Sequence, residues 1–290
     1  MQSPSTDVPL LTGIAPLAAG TDAWISDIWG VLHNGVRAFP AAGEACVRYR
    51  RAGGTVVLVT NAPFPAARVA CMLADLDVPR EAYDDIVTSG DVTRHLIGAY
   101  RGGAVLHFGP DRYLGIFDGL DDIRRTEKLS ECQAVVCTGL YADDHETPAD
   151  YADRLAALRA RDLPMICANP DIIVERGHRI VYCAGALAEA YEKLGGKVSY
   201  AGKPHAPIYD AAFARINALK VRPVPRDRIL AIGDGIRTDI AGAGAMGLRS
   251  VFIGSALHVT AGRALDVDVL AELFAGHPHP PVGAQPALVW

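Results

Sequence analysis

Short apolar runs recur along the chain, and most of them are followed by a stretch with apolar residues at helical spacing. The most β-branched run is TVVLVT at 55–60, a composition typical of strands. The run AWIS at 23–26 has only apolar or small residues on both of its faces, which predicts a strand buried on both faces, as in a parallel sheet. The predicted strands are 23–26, 55–60, 86–89, 104–108, 134–138, 165–168, 198–201, 228–232 and 250–254. Helices are predicted between them, for example at 40–52 and 185–194.

This alternation of strand and helix predicts an α/β fold with a Rossmann-like parallel sheet. Near residue 91 a new series of predicted helices and strands begins, which we interpret as a second and smaller α/β unit inserted into the first. We therefore predict three segments: the first half of the core at 1–90, an inserted unit at 91–184, and the second half of the core at 185–290. The tail from His277 is rich in proline and glycine, and we expect poor order there.

Composition narrows the function classes. The chain has 290 residues and a formal charge of −5, which disfavours nucleic acid as a partner. No Lys or Arg precedes Arg37, so the basic start of a secretory signal is missing, and no apolar run is long enough to span a membrane. The six cysteines form no CxxC pair. Cys137, Cys167 and Cys183 lie in apolar runs and are predicted to be buried free thiols, which fits a soluble cytoplasmic protein.

Chemically useful side chains follow several of the predicted strands. Alone, an Asp at a strand end is typical of a turn or a cap. Here an ordered set occurs, and parallel neighbouring strands would bring it to one edge of a sheet. Acids that hold Mg²⁺, a lysine that offsets charge and hydroxyl and amide donors suit phosphoryl transfer, and an aspartate can itself attack phosphorus. The set is Asp27, Thr60, Asn61, Lys203, Asp234 and Asp239.

In its order, this set resembles the haloacid dehalogenase-like (HAD) superfamily, and most of all its class IIA branch of NagD-like and p-nitrophenyl-phosphatase-like proteins. The resemblance runs from about residue 20 to about residue 255. Its motifs are specific together, although no single one is. They are Trp29-Gly30-Val31-Leu32, Thr60-Asn61, Asn169-Pro170-Asp171, Gly185-Ala186-Leu187, Gly202-Lys203-Pro204 and Gly233-Asp234 with Thr238-Asp239.

The resemblance implies a Rossmann-like core with an inserted α/β cap of the C2 type and a Mg²⁺-dependent phosphatase of small phosphorylated metabolites. Asp27 would be the nucleophile and a metal ligand, and Lys203 would orient it and offset charge. The main-chain carbonyl of Trp29 and the side chain of Asp234 would complete the protein ligands, with Asp239 nearby.

For the substrate, the resemblance implies that Thr60 and Asn61 bind the transferred phosphoryl group. Asn169 and Asp171, in the cap, would face the rest of the substrate. Homodimers formed through the cap occur in this branch, and the resemblance extends that expectation to this chain.

One position departs from the family pattern. The family phosphatases carry a second Asp two residues after the nucleophile as general acid and base, and Trp29 stands there in this chain. An indole N–H is a donor only. General acid–base help is typically worth ~10²–10⁴-fold, so a phosphatase with Trp29 should be slow on poor leaving groups. His33 is a candidate stand-in, and a solvated turn histidine is the alternative.

Two other functions follow from the same departure. Haloacid dehalogenases use the nucleophilic Asp with an aromatic residue near that position and need no metal, but they have little use for Asp234 and Asp239. A phosphoryl- or metabolite-binding protein that has lost turnover is the other alternative. Trp29 favours it, and the retained Asp27, Lys203 and Asp234 argue against it.

Overall fold

The computed structural model describes residues 8–176, 179–254 and 264–290. In chain order, its strands are β1 Ala23–Ser26, β2 Thr55–Thr60, β3 Asp85–Thr88, β4 Ala104–Phe108, β5 Arg124–Arg125, β6 Ala134–Cys137, β7 Met165–Cys167, β8 Ile173–Arg176, β9 Arg179–Tyr182, β10 Val198–Tyr200, β11 Ile229–Gly233, β12 Arg249–Ile253 and β13 Gly283–Gln285. The helices are α1 Ala15–Ala18, α2 Pro40–Arg51, α3 Ala66–Asp75, α4 Ser89–Ile97, α5 Ala152–Ala160, α6 Ala184–Lys193, α7 Ala206–Lys220, α8 Ala241–Ala245 and α9 Val267–Leu273.

By its internal contacts the chain divides into two units. The first unit comprises Met1–Thr60, Ala70–Ile86 and Tyr209–Trp290, and the second comprises Asn61–Val69 and Val87–Ile208. The second unit therefore begins earlier and ends later than the segment 91–184 expected from the sequence. None of the helices in the described parts of the chain is long and apolar enough to cross a membrane.

A six-stranded sheet with the order β13-β12-β11-β1-β2-β3 forms the centre of the first unit. β1 pairs in parallel with both β2 and β11, and β12 pairs in parallel with β11 and β13. Every residue of β1, β2 and β11 is buried, which explains why these strands carry no charged residue and do not alternate between polar and apolar positions. The predicted Rossmann-like α/β fold is confirmed.

An aromatic stack anchors β1 to the helix that follows it. The rings of Trp24 in β1 and Tyr49 in α2 are parallel, with their centroids 3.9 Å apart. The Tyr49 hydroxyl lies 2.8 Å from the Thr21 hydroxyl, so this buried polar group has a partner. Trp290, the last residue, lies 6.4 Å from Trp24 by ring centroids.

The end of the chain differs from the sequence expectation. Gly283–Gln285 forms β13, which pairs with Val251–Ile253 at the edge of the sheet. Ile14 also donates a main-chain hydrogen bond to Val289. The expected poor order after His277 is therefore not found, because this segment gains main-chain partners far from it in sequence.

The second unit contains a five-stranded sheet with the order β10-β7-β6-β4-β5, paired in parallel throughout. Alternate residues of its strands pack into two different apolar clusters. Val135 and Cys137 lie in one, with Leu155 of α5 and Leu187 of α6. Val136 lies in the other, with Ile97 of α4. The sheet is thus covered on both faces, and a separate antiparallel hairpin, β8–β9, follows β7.

The cysteine prediction is confirmed. Cys137, Cys167 and Cys183 form no disulfide bonds, and all three are buried. Burial raises the pKa of the Cys137 thiol to about 12 and that of the Cys167 thiol well above its usual value. These thiols therefore behave as small apolar side chains at neutral pH.

Candidate active site

In the sheet of the first unit, β1 and β11 are neighbours. From β1 the sheet continues in one direction through β2 and β3, and from β11 it continues in the other direction through β12 and β13, so the strand order reverses between β1 and β11. Open α/β sheets bind ligands outside the carboxyl ends of their strands at such a reversal. Asp27 directly follows β1 and Asp234 directly follows β11. The Asp27 N–H donates to the Ile232 carbonyl at 2.8 Å, so the two strand ends are joined at this point.

Three acids meet at this strand reversal. One carboxylate oxygen from each of Asp27, Asp234 and Asp239 lies within 4.8 Å of the other two. Their exposed fractions are 8%, 7% and 5%. Buried carboxylates at this spacing repel one another when they are ionised, so the cluster favours a bound cation.

Asp239 is brought to the cluster by a tight glycine-containing turn. The Gly235 N–H donates to Asp239 Oδ2 at 3.1 Å, and the Asp239 N–H donates back to the Gly235 carbonyl at 2.8 Å. A Cβ on Gly233 would lie 2.2 Å from Asp239 Cγ, so only glycine fits there without displacing the acid. The segment Ile236–Ile240 is a π-helix, a form that often occurs at functional sites.

The donor set fits Mg²⁺. Carboxylate oxygens are the hard ligands that this ion prefers, and at bond lengths of about 2.1 Å two ligands on opposite sides of the ion are about 4.2 Å apart. The 4.8 Å limit on the separations among the three acids is close to that span. One Asp27 oxygen is also fixed locally, because Oδ1 accepts the Ile28 N–H at 2.7 Å.

The indole of Trp29 is held by the turn that follows it. Its ring meets the His33 ring edge-on, with centroids 5.4 Å apart and an interplanar angle of 76°. A Cβ on Gly35 would lie 2.2 Å from Trp29 Cη2, and Gly35 has a φ of +82°. Gly35 is therefore required both by the left-handed turn and by the close approach of the indole.

His33 is a buried neutral imidazole, not a solvated one. Its Nδ1 accepts the Gly35 N–H at 2.9 Å, so the ring proton is on Nε2. Burial lowers the pKa of His33 to about 4, and the neutral form prevails at pH 7. A neutral imidazole is a poor proton donor, which argues against His33 as the stand-in acid. Its burial also contradicts the alternative of a solvated turn histidine.

Thr60 ends β2 beside this site. It is buried, and it lies two residues beyond Leu58, the register partner of Ser26 in β1. Thr60, the last residue of β2, and Asp27, which follows β1, therefore lie at the carboxyl ends of adjacent parallel strands.

Asn61, Asn169, Asp171 and Lys203 belong to the second unit. Lys203 is buried, with 3% of its surface exposed. Asn61 Oδ1 accepts the Lys203 N–H at 2.7 Å. Asn61 Nδ2 donates to the Lys203 carbonyl at 3.1 Å and to Asp171 Oδ1 at 2.9 Å. Both amide hydrogens and the amide oxygen of Asn61 are thus engaged with the protein.

Asn169 shapes the turn that carries Asp171. Its Oδ1 accepts the Asp171 N–H at 3.0 Å, the arrangement of an Asx turn. A Cβ on Gly185 would lie 2.2 Å from the Pro170 carbonyl oxygen and 2.6 Å from that of Asp171. The start of α6 therefore packs directly on this turn, and a glycine is required there.

Six of the predicted site residues thus fall into two groups by their contacts. Asp27, Asp234 and Asp239 meet in the first unit, and Asn61, Asp171 and Lys203 are linked in the second. Sequence reasoning missed the bond between Asn61 and Asp171, because no local signal pairs residues so far apart in the chain. The support of Trp29 by Gly35 was also missed.

Two family models match the sequence. The model described as haloacid dehalogenase-like hydrolase matches residues 24–121, and a HAD-hydrolase-like model matches residues 200–266. No curated protein matches the chain.

Several solved structures are similar to this chain. A haloacid dehalogenase-like family hydrolase from Brucella suis 1330 is 44% identical and has a TM-score of 0.85, over 97% of this chain and 100% of that one. NagD from E. coli K-12 is 23% identical with a TM-score of 0.68, over 92% and 96%. The glycerol phosphate phosphatase Rv1692 from Mycobacterium tuberculosis, solved with calcium, is 24% identical with a TM-score of 0.64, over 83% and 68%. The last two similarities are similarities of fold.

Proposed function

The chain belongs to the haloacid dehalogenase-like hydrolase family, and on that premise we propose that it is a Mg²⁺-dependent phosphatase. It would act on a small phosphorylated metabolite in the cytoplasm, through an aspartyl-phosphate on Asp27. The observation that carries this proposal is the buried cluster of Asp27, Asp234 and Asp239 at the strand reversal of the first sheet. The glycerol phosphate phosphatase of the same fold, solved with calcium or with magnesium, supports it.

In the proposed reaction a carboxylate oxygen of Asp27 attacks phosphorus. A new bond forms between that oxygen and phosphorus, the ester bond to the leaving oxygen breaks, and the leaving group departs with the electron pair. Water then attacks phosphorus, releases inorganic phosphate and restores the Asp27 carboxylate. The Thr60 hydroxyl donates to a phosphoryl oxygen, and the ammonium of Lys203 offsets negative charge.

Mg²⁺ would be held by the side chains of Asp27 and Asp234 and the main-chain carbonyl of Trp29, with Asp239 beside them. When bound, the ion supplies positive charge for the phosphoryl oxygens. Because the side chain of Asn61 is already engaged, the contact that we propose from Asn61 to the phosphoryl group comes from its main-chain N–H. The homodimer and the substrate-facing roles of Asn169 and Asp171 stay predictions.

Trp29 limits the proposed reaction. The leaving oxygen needs a proton unless it is stable as an anion, and an indole cannot provide one at neutral pH. We do not assign this proton to His33, because burial lowers the pKa of its ring to about 4 and its Nδ1 accepts the Gly35 N–H. The enzyme should therefore favour substrates whose leaving group is stable without protonation.

A metabolite-binding protein without turnover is the second candidate, and Trp29 is the observation that favours it. Its indole is fitted to the turn at Gly35, so the substitution is built into the local packing. A dehalogenase is disfavoured, since its chemistry has no use for the cluster that includes Asp234 and Asp239.

The proposal is tested by hydrolysis of p-nitrophenyl phosphate, whose good leaving group needs little help from an acid. We expect release of p-nitrophenol that requires Mg²⁺ and is lost in Asp27→Asn, a variant that keeps the size of the side chain. Thr138→Val, which removes a buried hydroxyl of the second unit, is the matched control and keeps the activity. If the wild type binds Mg²⁺ and phosphate and does not release p-nitrophenol, the binding protein is the better description.

A further inference from the structure

The side chain of Asn61 holds the main chain of Lys203 from both sides. Its amide oxygen accepts the Lys203 N–H at 2.7 Å, and its amide nitrogen donates to the Lys203 carbonyl at 3.1 Å. Asn61 and Lys203 are both buried, at 5% and 3% exposure, so these hydrogen bonds do not compete with bulk water. One side chain therefore fixes both the position and the direction of the Lys203 peptide groups.

Asp171 determines which way round the Asn61 amide lies. A carboxylate only accepts hydrogen bonds, and Asp171 Oδ1 accepts from Asn61 Nδ2 at 2.9 Å. The amide nitrogen must therefore face Asp171, which leaves the amide oxygen for the Lys203 N–H. Rotating the amide by half a turn would bring its oxygen against the carboxylate and its nitrogen against the Lys203 N–H.

The glycine before Lys203 allows this close approach. A Cβ on Gly202 would lie 2.3 Å from Asn61 Oδ1 and 2.7 Å from Pro170 Cδ. Any side chain at this position would push Asn61 away from the Lys203 main chain. Gly202 thus leaves room for the Asn61 amide. We call the two hydrogen bonds from this amide to the main chain of Lys203 the clamp.

We infer that Asn61 is a positioning residue for Lys203, and that Asp171 sets the orientation of the Asn61 amide. This inference rests on the proposed function, in which the Lys203 ammonium offsets charge during phosphoryl transfer. Misplacing such a group by about 1 Å can cost on the order of 10²-fold in rate. The ammonium of a lysine is carried on a long flexible side chain. Fixing the main chain of Lys203 therefore leaves only the side-chain torsions to vary the position of the ammonium.

Two single variants and one double variant test the clamp. Asn61→Ala removes all three hydrogen bonds. Asn61→Asp has nearly the same shape and keeps the acceptor for the Lys203 N–H, but it loses both donors and places a carboxylate against Asp171. Adding Asp171→Asn to Asn61→Asp restores a donor–acceptor pair between the two positions with its direction reversed.

We expect kcat for p-nitrophenyl phosphate at saturating Mg²⁺ to fall about 10- to 100-fold in both single variants. The half-saturating Mg²⁺ concentration should stay within about twofold of wild type, because the hydrogen bonds that the variants lose involve none of the proposed Mg²⁺ ligands. The double variant should be about tenfold faster than Asn61→Asp alone. Thr138→Val removes a hydroxyl 2.8 Å from His107 Nε2 in the same unit and should change kcat by less than about twofold.

Three results would overturn the positioning role. In the first, the wild type is active and both single variants keep its kcat. In the second, kcat and Mg²⁺ affinity fall together in the Asn61 variants and in Thr138→Val, which indicates a general loss of structure. In the third, the wild type itself does not turn over, and the positioning role falls with the proposed function. Circular dichroism of the nearly isosteric Asn61→Asp checks that it is folded when the rates are measured.

Discussion

Replacing Trp29 by aspartate should restore general acid catalysis in a way that depends on the leaving group. A carboxylic acid two residues after Asp27 could protonate the leaving oxygen, which the indole cannot do. Such help is typically worth ~10²–10⁴-fold in rate, or about 2.7–5.4 kcal/mol of barrier. An alkyl phosphate such as glycerol phosphate should show this gain, and p-nitrophenyl phosphate should show little.

The structure also sets the cost of this substitution. The variant loses the edge-on contact with His33, whose ring centroid lies 5.4 Å away, and the contact of the indole with Gly35. An aromatic contact of this kind is worth about 1 kcal/mol, so Trp29→Asp should unfold at a temperature a few degrees lower. The loss is small against the expected gain in rate, and the variant should remain folded at 25 °C.

The assay compares kcat/KM for both esters in the wild type, Trp29→Asp and Trp29→Asn. The asparagine variant has the size of aspartate without its proton, so it separates the effect of acid catalysis from that of removing the indole. The reasoning is refuted if the two variants behave alike on glycerol phosphate. It is also refuted if Trp29→Asp gains as much on p-nitrophenyl phosphate as on the alkyl ester.

Three other predictions follow from particular side chains. Asp239→Asn should raise the half-saturating Mg²⁺ concentration about tenfold or more in a titration of activity, and an unchanged value would remove Asp239 from the metal site. Hydrogen bonds from Arg228 and Arg222 hold the pKa of Asp22 at about 2. Because both arginines are about half exposed, the two ion pairs of Asp22 contribute about 1 kcal/mol to the free energy of unfolding. It should be present above pH 4 and be lost as the pH falls towards 2, so urea unfolding of Asp22→Asn and wild type should converge at low pH. Burial lowers the pKa of His107 to about 4 from 6.5. Between these two values the unfolded chain binds a proton that the folded protein does not. The free energy of unfolding should therefore decrease as the pH is lowered from 6.5 towards 4, and it should decrease less steeply in His107→Gln.

The strands of the core were accessible to sequence reasoning because burial on both faces leaves a local signal. The run predicted at 55–60 is β2 itself, and the apolar run before Asp27 is β1. The three acids could be expected together for the same reason, since parallel topology gathers strand ends at one edge. Here the sequence pattern and the fold carry the same information.

Contacts between distant segments left no such signal. β13 forms because Gly283–Gln285 pairs with Val251–Ile253 of β12. The sequence of the proline- and glycine-rich tail contains no pattern that predicts this pairing. The hairpin β8–β9 was likewise not predicted. The link from Asn61 to Asp171 depends on two loops meeting in three dimensions, so a residue expected to bind phosphate proved to have its side chain engaged with Lys203.

The most direct test of the central claim is detection of the phosphoryl group on Asp27. The wild type would be mixed with p-nitrophenyl phosphate and Mg²⁺, quenched in acid during turnover, digested and analysed by mass spectrometry. The account predicts one added phosphoryl group on the peptide that contains Asp27, absent without Mg²⁺ and absent in Asp27→Asn. Turnover by the wild type with no phosphoryl group on that peptide, or with the group on another residue, would contradict it.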